Sequence, residues 1–148
     1  MDKVQKQYES RNNESMELTR RAFEFSDTPD IPFIFNTANY FSFGYSPDDI
    51  PDDYYTSSAG MYKHQISQFE NHFPLIEDNY VPYLMPWYGT GVTASAFGIG
   101  VNFLSKMDPT TDIADFPNHE DIDKMTMPDV ESDGLFPMIT DTIRYFME

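Results

Sequence analysis

The stretch that decides the fold runs from Val81 to Gly100, "VPYLMPWYGTGVTASAFGIG". It begins as continuous apolar and aromatic residues and passes within a few positions into small residues and glycines. Two structures fit that change of character: a strand feeding a glycine-rich phosphate cradle, or a strand whose end lines another kind of cleft. The glycines at 89 and 91, in "GTGVTA" from Gly89 to Ala94, approximate the G-x-G-x-x-A dinucleotide signature. That signature needs a long helix opening at once, and Gly98 and Gly100 would each cost ~1 kcal/mol inside one. The favoured reading is therefore a glycine turn that lets two backbones approach closely.

An earlier stretch has the same character. In "IPFIFNTANYFSFG", from Ile31 to Gly44, aromatic and β-branched residues follow a proline of the kind tolerated at the first position of a strand. Apolar residues follow one another here, as they do over Tyr80 to Met85, instead of alternating. Strands at Pro32–Asn36 and Tyr80–Met85, buried on both faces as in a parallel sheet, are expected. Between them Met61, Tyr62, Ile66, Phe69 and Phe73 recur at steps of three and four, which predicts an amphipathic helix within Asp53–Phe73.

The flanking segments complete an α/β order. Val4, Tyr8, Leu18, Ala22 and Phe23 lie at helical spacing over Lys3–Phe25, with a break allowed near Arg11 to Asn13, and "SDTPD" stops the run. A short third strand is expected at Val101–Leu104, a short helix around Glu120–Met125, and a final helix carrying Leu135, Met138, Ile139, Thr142, Ile143 and Phe146 on one face. Asp133 can cap that helix. The expected order is helix, strand, helix, strand, strand, helix, with residues 1–30 as a helical arm and 31–148 as the first βα units. Parallel strands without partners leave unsatisfied edges, so the sequence reads as the opening part of a larger barrel or sheet.

Bulk properties narrow the functions. The 148 residues match one domain by length, and the 40% hydrophobic and 16% aromatic content excludes disorder as a description of the whole. A net charge of −16 repels phosphate backbones and anionic membrane surfaces, so neither nucleic acid nor membrane is an expected partner. The chain has no cysteine, which removes disulfides, thiolate ligands and a thiol nucleophile. No signal-peptide core and no ~18-residue apolar span is present, and the expected compartment is the cytoplasm.

Residue constellations point to binding more than to acid–base chemistry. His64 and His72 lie two helical turns apart, ~12 Å by rise, too far to share an ion. The paired acids Asp48/Asp49 and Asp52/Asp53 lie in a loop and are expected to be solvated, whereas catalytic carboxyls need burial or a charged neighbour. Ligands of parallel α/β folds collect at the carboxyl ends of strands. Those ends carry Asn36, Thr37, Asn39 and Tyr40 after the first expected strand, and Trp87, Tyr88, Gly89 and Thr90 after the second. Aromatic faces beside hydrogen-bonding groups suit a planar or extended organic ligand, so Asn36, Asn39, Tyr40, Trp87, Tyr88, Gly89 and Thr90 are the candidate binding residues. Trp87 serves equally well as a cap on the core.

The segments "IPFIFNTANYF", "PLIEDNYVPYLMPWYGTGVTASAFGIGVNF", "DIADFPNHEDIDKM" and "PDVESDGLFPMITDTIRYF" together resemble the N-terminal part of the uroporphyrinogen decarboxylase-like superfamily. The resemblance begins near Ala22 and rests on the order and character of the segments. It implies a (β/α)8 TIM barrel of about 250 residues, of which this chain would be the N-terminal portion, with the remainder of the barrel as its first partner. Two features separate it from the decarboxylases themselves: "FNTANYF" lacks the arginines of their "MRQAGR"-like segment, and "WYGTGV" lacks the aspartate of their "FSDIL"-like segment. The "GTGV…ASAFG" style is similar to the corrinoid-linked methyltransferases, which use zinc held by His and Cys in the later half of the barrel. On this resemblance the chain holds no catalytic residue, metal ligand or cofactor of its own, and is inactive alone. Zinc, a corrinoid partner and a tetrapyrrole or corrinoid ligand are what the resemblance implies for a full-length protein. The alternatives are uroporphyrinogen decarboxylase activity and a stand-alone acidic domain that binds a ligand or partner.

Overall fold

The computed structural model describes residues 6, 8–27, 30–35, 47–111, 118 and 122–148. Its elements are α1 (Glu9–Phe23), a 3-10 turn at Pro47–Asp49, α2 (Ser58–Leu75), α3 (Val92–Ala96), β1 (Val101–Asn102), β2 (Thr110–Thr111) and α4 (Phe136–Met147). The chain divides into two compact units, one of Met1–Pro47 with Lys63–Leu84 and one of Asp48–Tyr62 with Met85–Glu148. Among the described residues no helix is long and apolar enough to cross a membrane.

In the first unit the helical spacing of the sequence is realised. α1 is continuous through Arg11 to Asn13, and Arg20 bridges Glu17 and Glu24 at 2.7 and 2.5 Å along its exposed face. It ends where Phe25 takes a left-handed conformation, φ 53°. The core consists of Phe69 and Phe73 from α2, covered by Tyr8, Ile66, Tyr80 and Leu84. Tyr8 stacks on Phe73 with ring centroids 4.3 Å apart, and the Arg11 guanidinium lies 5.0 Å from the centre of the same ring. Pro74 sits in the last turn of α2, where its missing N–H costs one helical bond, and the helix stops at Leu75.

The two expected parallel strands are not formed by the described residues. Positions 32–35 and 80–85 join no ladder, and Asn36, the end of the first expected strand, lies outside the described residues. Their link is a local one: Asn79 N–H donates to the Phe33 carbonyl at 2.9 Å, and Phe33 N–H donates to the Asn79 side chain at 3.1 Å. Burial on both faces is the expectation for both, yet Ile31, Phe33, Ile34 and Phe35 are 86, 57, 52 and 54% exposed, and over Tyr80–Met85 no residue is fully buried and Tyr83 is 54% exposed. Continuous apolar residues specify burial only when a neighbouring strand or helix supplies the cover, and none of the described residues does so here.

The second unit is built around Ile50, Tyr54, Tyr55, Met61, Tyr88 and Ile99, all buried. The third expected strand is present only at Val101–Asn102, and its partner Thr110–Thr111 runs antiparallel, with Val101 opposite Thr111 and Asn102 opposite Thr110. α4 realises the amphipathic pattern at the end of the sequence in part: Thr142 is fully buried and Met138, Ile139 and Phe146 are partly so, whereas Ile143, expected on the same face, is 43% exposed. Its Tyr145 and Phe146 each meet Tyr62 with centroids 6.1 Å apart, and no side chain caps its start. Asp133 contributes its backbone carbonyl to the Phe136 N–H, and its carboxylate turns to the Asp129 amide. Of the short helix expected around Glu120–Met125, residues 120 and 121 lie outside the described residues, and the remainder is a single turn in which the Met125 N–H donates to the Ile122 carbonyl at 3.1 Å.

The glycine turn is explained by packing. Gly89 has φ +76°, and a Cβ there would stand 2.7 Å from the Pro109 carbonyl oxygen. At Gly91 a Cβ would stand 2.6 Å from Thr111 Cγ2. Both glycines let the turn lie against β2, and the helix that follows lasts five residues. That is too short to present the N-terminal dipole that a dinucleotide pyrophosphate needs, in agreement with the reading of a close-approach turn.

Candidate functional site

Within the second unit, the Trp87 indole points at Asp108, two residues before β2 begins. Nε1–H donates to Asp108 Oδ1 at 2.9 Å, and the Tyr55 hydroxyl donates to the same oxygen at 3.1 Å. Trp87 is anchored from behind by its own N–H, which reaches Met61 Sδ at 3.4 Å. Tyr55 is buried edge-on against Tyr54, 4.8 Å between centroids, and burial followed by the neighbouring phenol raises its hydroxyl pKa. The Asp108 side chain is solvent-accessible on one side. Loss of solvent on the other raises its carboxyl pKa. Its Oδ2 accepts no hydrogen bond from the described residues.

The chemistry available here is recognition. An indole face, half-buried, lies beside a carboxylate with one oxygen fully engaged and one open, a pairing that holds a planar ligand by its face and an N–H or O–H donor by its edge. The acids Asp48, Asp49, Asp52 and Asp53 are exposed, as their sequence context predicts. Ser105 donates to the Asp52 carboxylate at 2.6 Å, and Lys106 donates to the Asp48 carbonyl at 2.8 Å. Among the described residues no group of three His, Cys, Asp or Glu side chains is placed to hold a metal ion.

The expected binding residues do not share one surface. Trp87 is half-buried with its indole in the cluster, and Thr90 is exposed. Tyr88 turns the other way: it is 1% exposed, and its hydroxyl meets Thr142 Oγ1 at 2.6 Å, while Thr142 in turn meets Ser58 Oγ at 2.7 Å. Burial raises the Tyr88 hydroxyl pKa, and the bonds to Thr142 and Ser58 oppose that shift. Gly89 is buried under β2. Asn36, Asn39 and Tyr40 lie outside the described residues. Tyr55 and Asp108 were not recognisable in the sequence, because no local spacing links positions 53 and 21 residues away from their partners.

The first unit holds a second polar cluster. The Asp78 carboxylate, with its side chain 0% exposed, accepts from Arg11 Nη2 at 3.0 Å, His72 Nε2 at 3.1 Å, and the amides of Phe35 and Tyr80 at 2.9 and 3.1 Å. Arg11 Nη2 also reaches the carbonyls of Ile76 and Asp78, at 2.9 and 2.8 Å. Two clefts of about 480 and 490 Å³ flank this cluster: one is apolar, between Met16, Phe23, Ile34 and Tyr83, and the other is mixed, between Tyr8, Arg11, Phe33 and Glu77.

Comparison of the chain with protein-family models, with curated proteins and with solved structures returns no match.

Proposed function

We propose that this chain is the N-terminal portion of a uroporphyrinogen decarboxylase-like barrel protein of the corrinoid-linked methyltransferase branch, a cytoplasmic protein without activity until the later half of the barrel is present. The observation that carries this reading is the exposed apolar run Ile31–Phe35. Surface of this kind is buried in a parallel α/β fold, and further βα units are the natural cover. The missing arginines in "FNTANYF" and the missing acid in "WYGTGV" speak against decarboxylation of a polycarboxylate, which needs cationic partners for its carboxylates. In this reading zinc chemistry belongs to His and Cys ligands elsewhere in the protein, since this chain has no cysteine.

In this reading Trp87 and Asp108 form part of the wall that meets a corrinoid or tetrapyrrole. The indole offers a stacking face, and Asp108 Oδ2 an acceptor for a ligand N–H or amide. A second reading, a self-contained acidic binding domain, is favoured by the closure of the Trp87–Asp108–Tyr55 cluster within one unit.

Trp87 is the one tryptophan of the chain, so its emission reports this wall directly. Hydroxocobalamin and uroporphyrin are titrated, with inner-filter correction, into this chain and into the product of its reading frame extended downstream. Saturable quenching by the corrinoid in the extended product, and not by uroporphyrin, supports the methyltransferase reading. Saturable quenching by the isolated chain with no effect of the extension supports the binding domain. An extension that encodes no further βα units, or no saturable change with either ligand, refutes the leading proposal.

A further inference from the structure

Asp78 and His72 are buried titratable groups that the ligand-binding reading does not use. We propose that Asp78 is the keystone of an acid-opened clasp, in which one carboxylate holds the amide of Phe35, and with it the end of the apolar segment Ile31–Phe35, to the two helices of the first unit. The inference rests on convergence. Four N–H donors arrive at two oxygens from four places in the chain: Arg11 on α1, the amide of Phe35 between the two helices, His72 on α2, and the amide of Tyr80 beyond α2.

The groups facing the carboxylate explain why a proton opens it. From α1 comes the Arg11 guanidinium and from α2 the His72 ring, while segment 31–35 brings an amide and apolar side chains. Glu77 and Tyr80 flank Asp78 in its own segment, and the Tyr80 ring lies 4.8 Å from His72. Every partner of the carboxylate is a donor. An added carboxyl proton therefore points at N–H groups, and its one acceptor would be His72 Nε2 in the opposite tautomer, available only while that ring is neutral. Burial pushes the Asp78 carboxyl up, but the Phe35 amide, His72 and the Tyr80 amide outweigh that effect and hold it below the ordinary aspartate range. The sign follows from this. A carboxyl whose pKa is lower in the folded state contributes its full stabilisation above the unfolded value, near ~3.9, and loses it as pH falls through the folded value.

The clasp is separable from its neighbour bonds. The Asn79 amide donates to the Phe33 carbonyl and involves no titratable group, so it should persist when the Phe35 amide is released.

The test is a pH series of amide nitrogen–proton spectra on the intact chain, with far-UV circular dichroism over the same range. The Phe35 and Tyr80 amides should move together with one midpoint below the ordinary aspartate range, before helical signal is lost, while the Asn79 amide stays. In Asp78→Asn that shared transition should be absent. Independent midpoints for Phe35 and Tyr80, a transition that coincides with global loss of helix, or the same titration in Asp78→Asn overturns the proposal. The wild-type series decides the matter even if the variant fails to fold.

Discussion

Thr142→Val tests whether Tyr88 belongs to the interior or to a binding wall. The Thr142 hydroxyl sits between Ser58 and Tyr88, at 2.7 and 2.6 Å, in a residue that is 0% exposed. Valine has nearly the same shape, so packing is preserved and the change removes hydrogen bonding. The Tyr88 hydroxyl, buried with its ring, then loses its closest partner. An unsatisfied buried hydroxyl costs about 1–3 kcal/mol, whereas a lost hydrogen bond with both partners removed costs about 1 kcal/mol or less. Thr142→Val should therefore lower the stability of the second unit by about 1–3 kcal/mol, and Tyr88→Phe by about 0.5–1.5 kcal/mol. The double variant should fall short of the sum by about 1 kcal/mol, since the second change removes the group that the first left orphaned. Urea unfolding followed by Trp87 emission measures all four corners of the cycle within the unit that contains the relay. Strict additivity would refute the relay and return Tyr88 to the list of ligand contacts.

Gly89→Ala places a Cβ 2.7 Å from the Pro109 carbonyl and demands a left-handed backbone from alanine, which by itself costs about 1–2 kcal/mol; a lowered urea midpoint with a red-shifted Trp87 emission is expected. Trp87 emission should titrate with Asp108 at a midpoint above the ordinary aspartate value, and Asp108→Asn should abolish that transition. Because this carboxyl binds its proton more tightly when folded, its ionisation subtracts from stability as pH rises through the same window. Asp78→Ala removes the carboxylate acceptor of His72 and of the Phe35 and Tyr80 amides in a buried place and leaves Arg11 on backbone carbonyls alone; it should destabilise the first unit by about 1–3 kcal/mol, read as faster amide exchange at Phe35 and Tyr80.

Periodicity carried the helices, because a stripe of apolar side chains every three or four residues stabilises a helix from one side whatever lies opposite. The positions of α1, α2 and α4 were legible for that reason. The reading of Gly89 and Gly91 as a close-approach turn also came from local chemistry: two glycines after an aromatic run, followed too soon by Gly98 and Gly100 for a long helix. The strands were another matter. "PFIF" and "YVPYLM" state that these segments prefer to leave water, but pairing is a property of two segments, and the sequence of one does not name the other.

The candidate site divides in the same way. Trp87 was visible as a lone indole beside a turn, but whether it and Tyr88 face the same way depends on which neighbours each finds. Only the folded chain brings Tyr55 and Asp108 to the indole, and only there does Thr142 draw the Tyr88 hydroxyl inward. By itself the sequence determined the helical faces, the glycine turn and the absence of thiol chemistry, each of which depends on neighbours a few residues away or on composition. The tertiary structure decided which distant donors reach which carboxylate, Arg11 and the Phe35 amide at Asp78 and Trp87 and Tyr55 at Asp108, because hydrogen bonds between residues 21 to 67 positions apart are set by packing and leave no trace in local order.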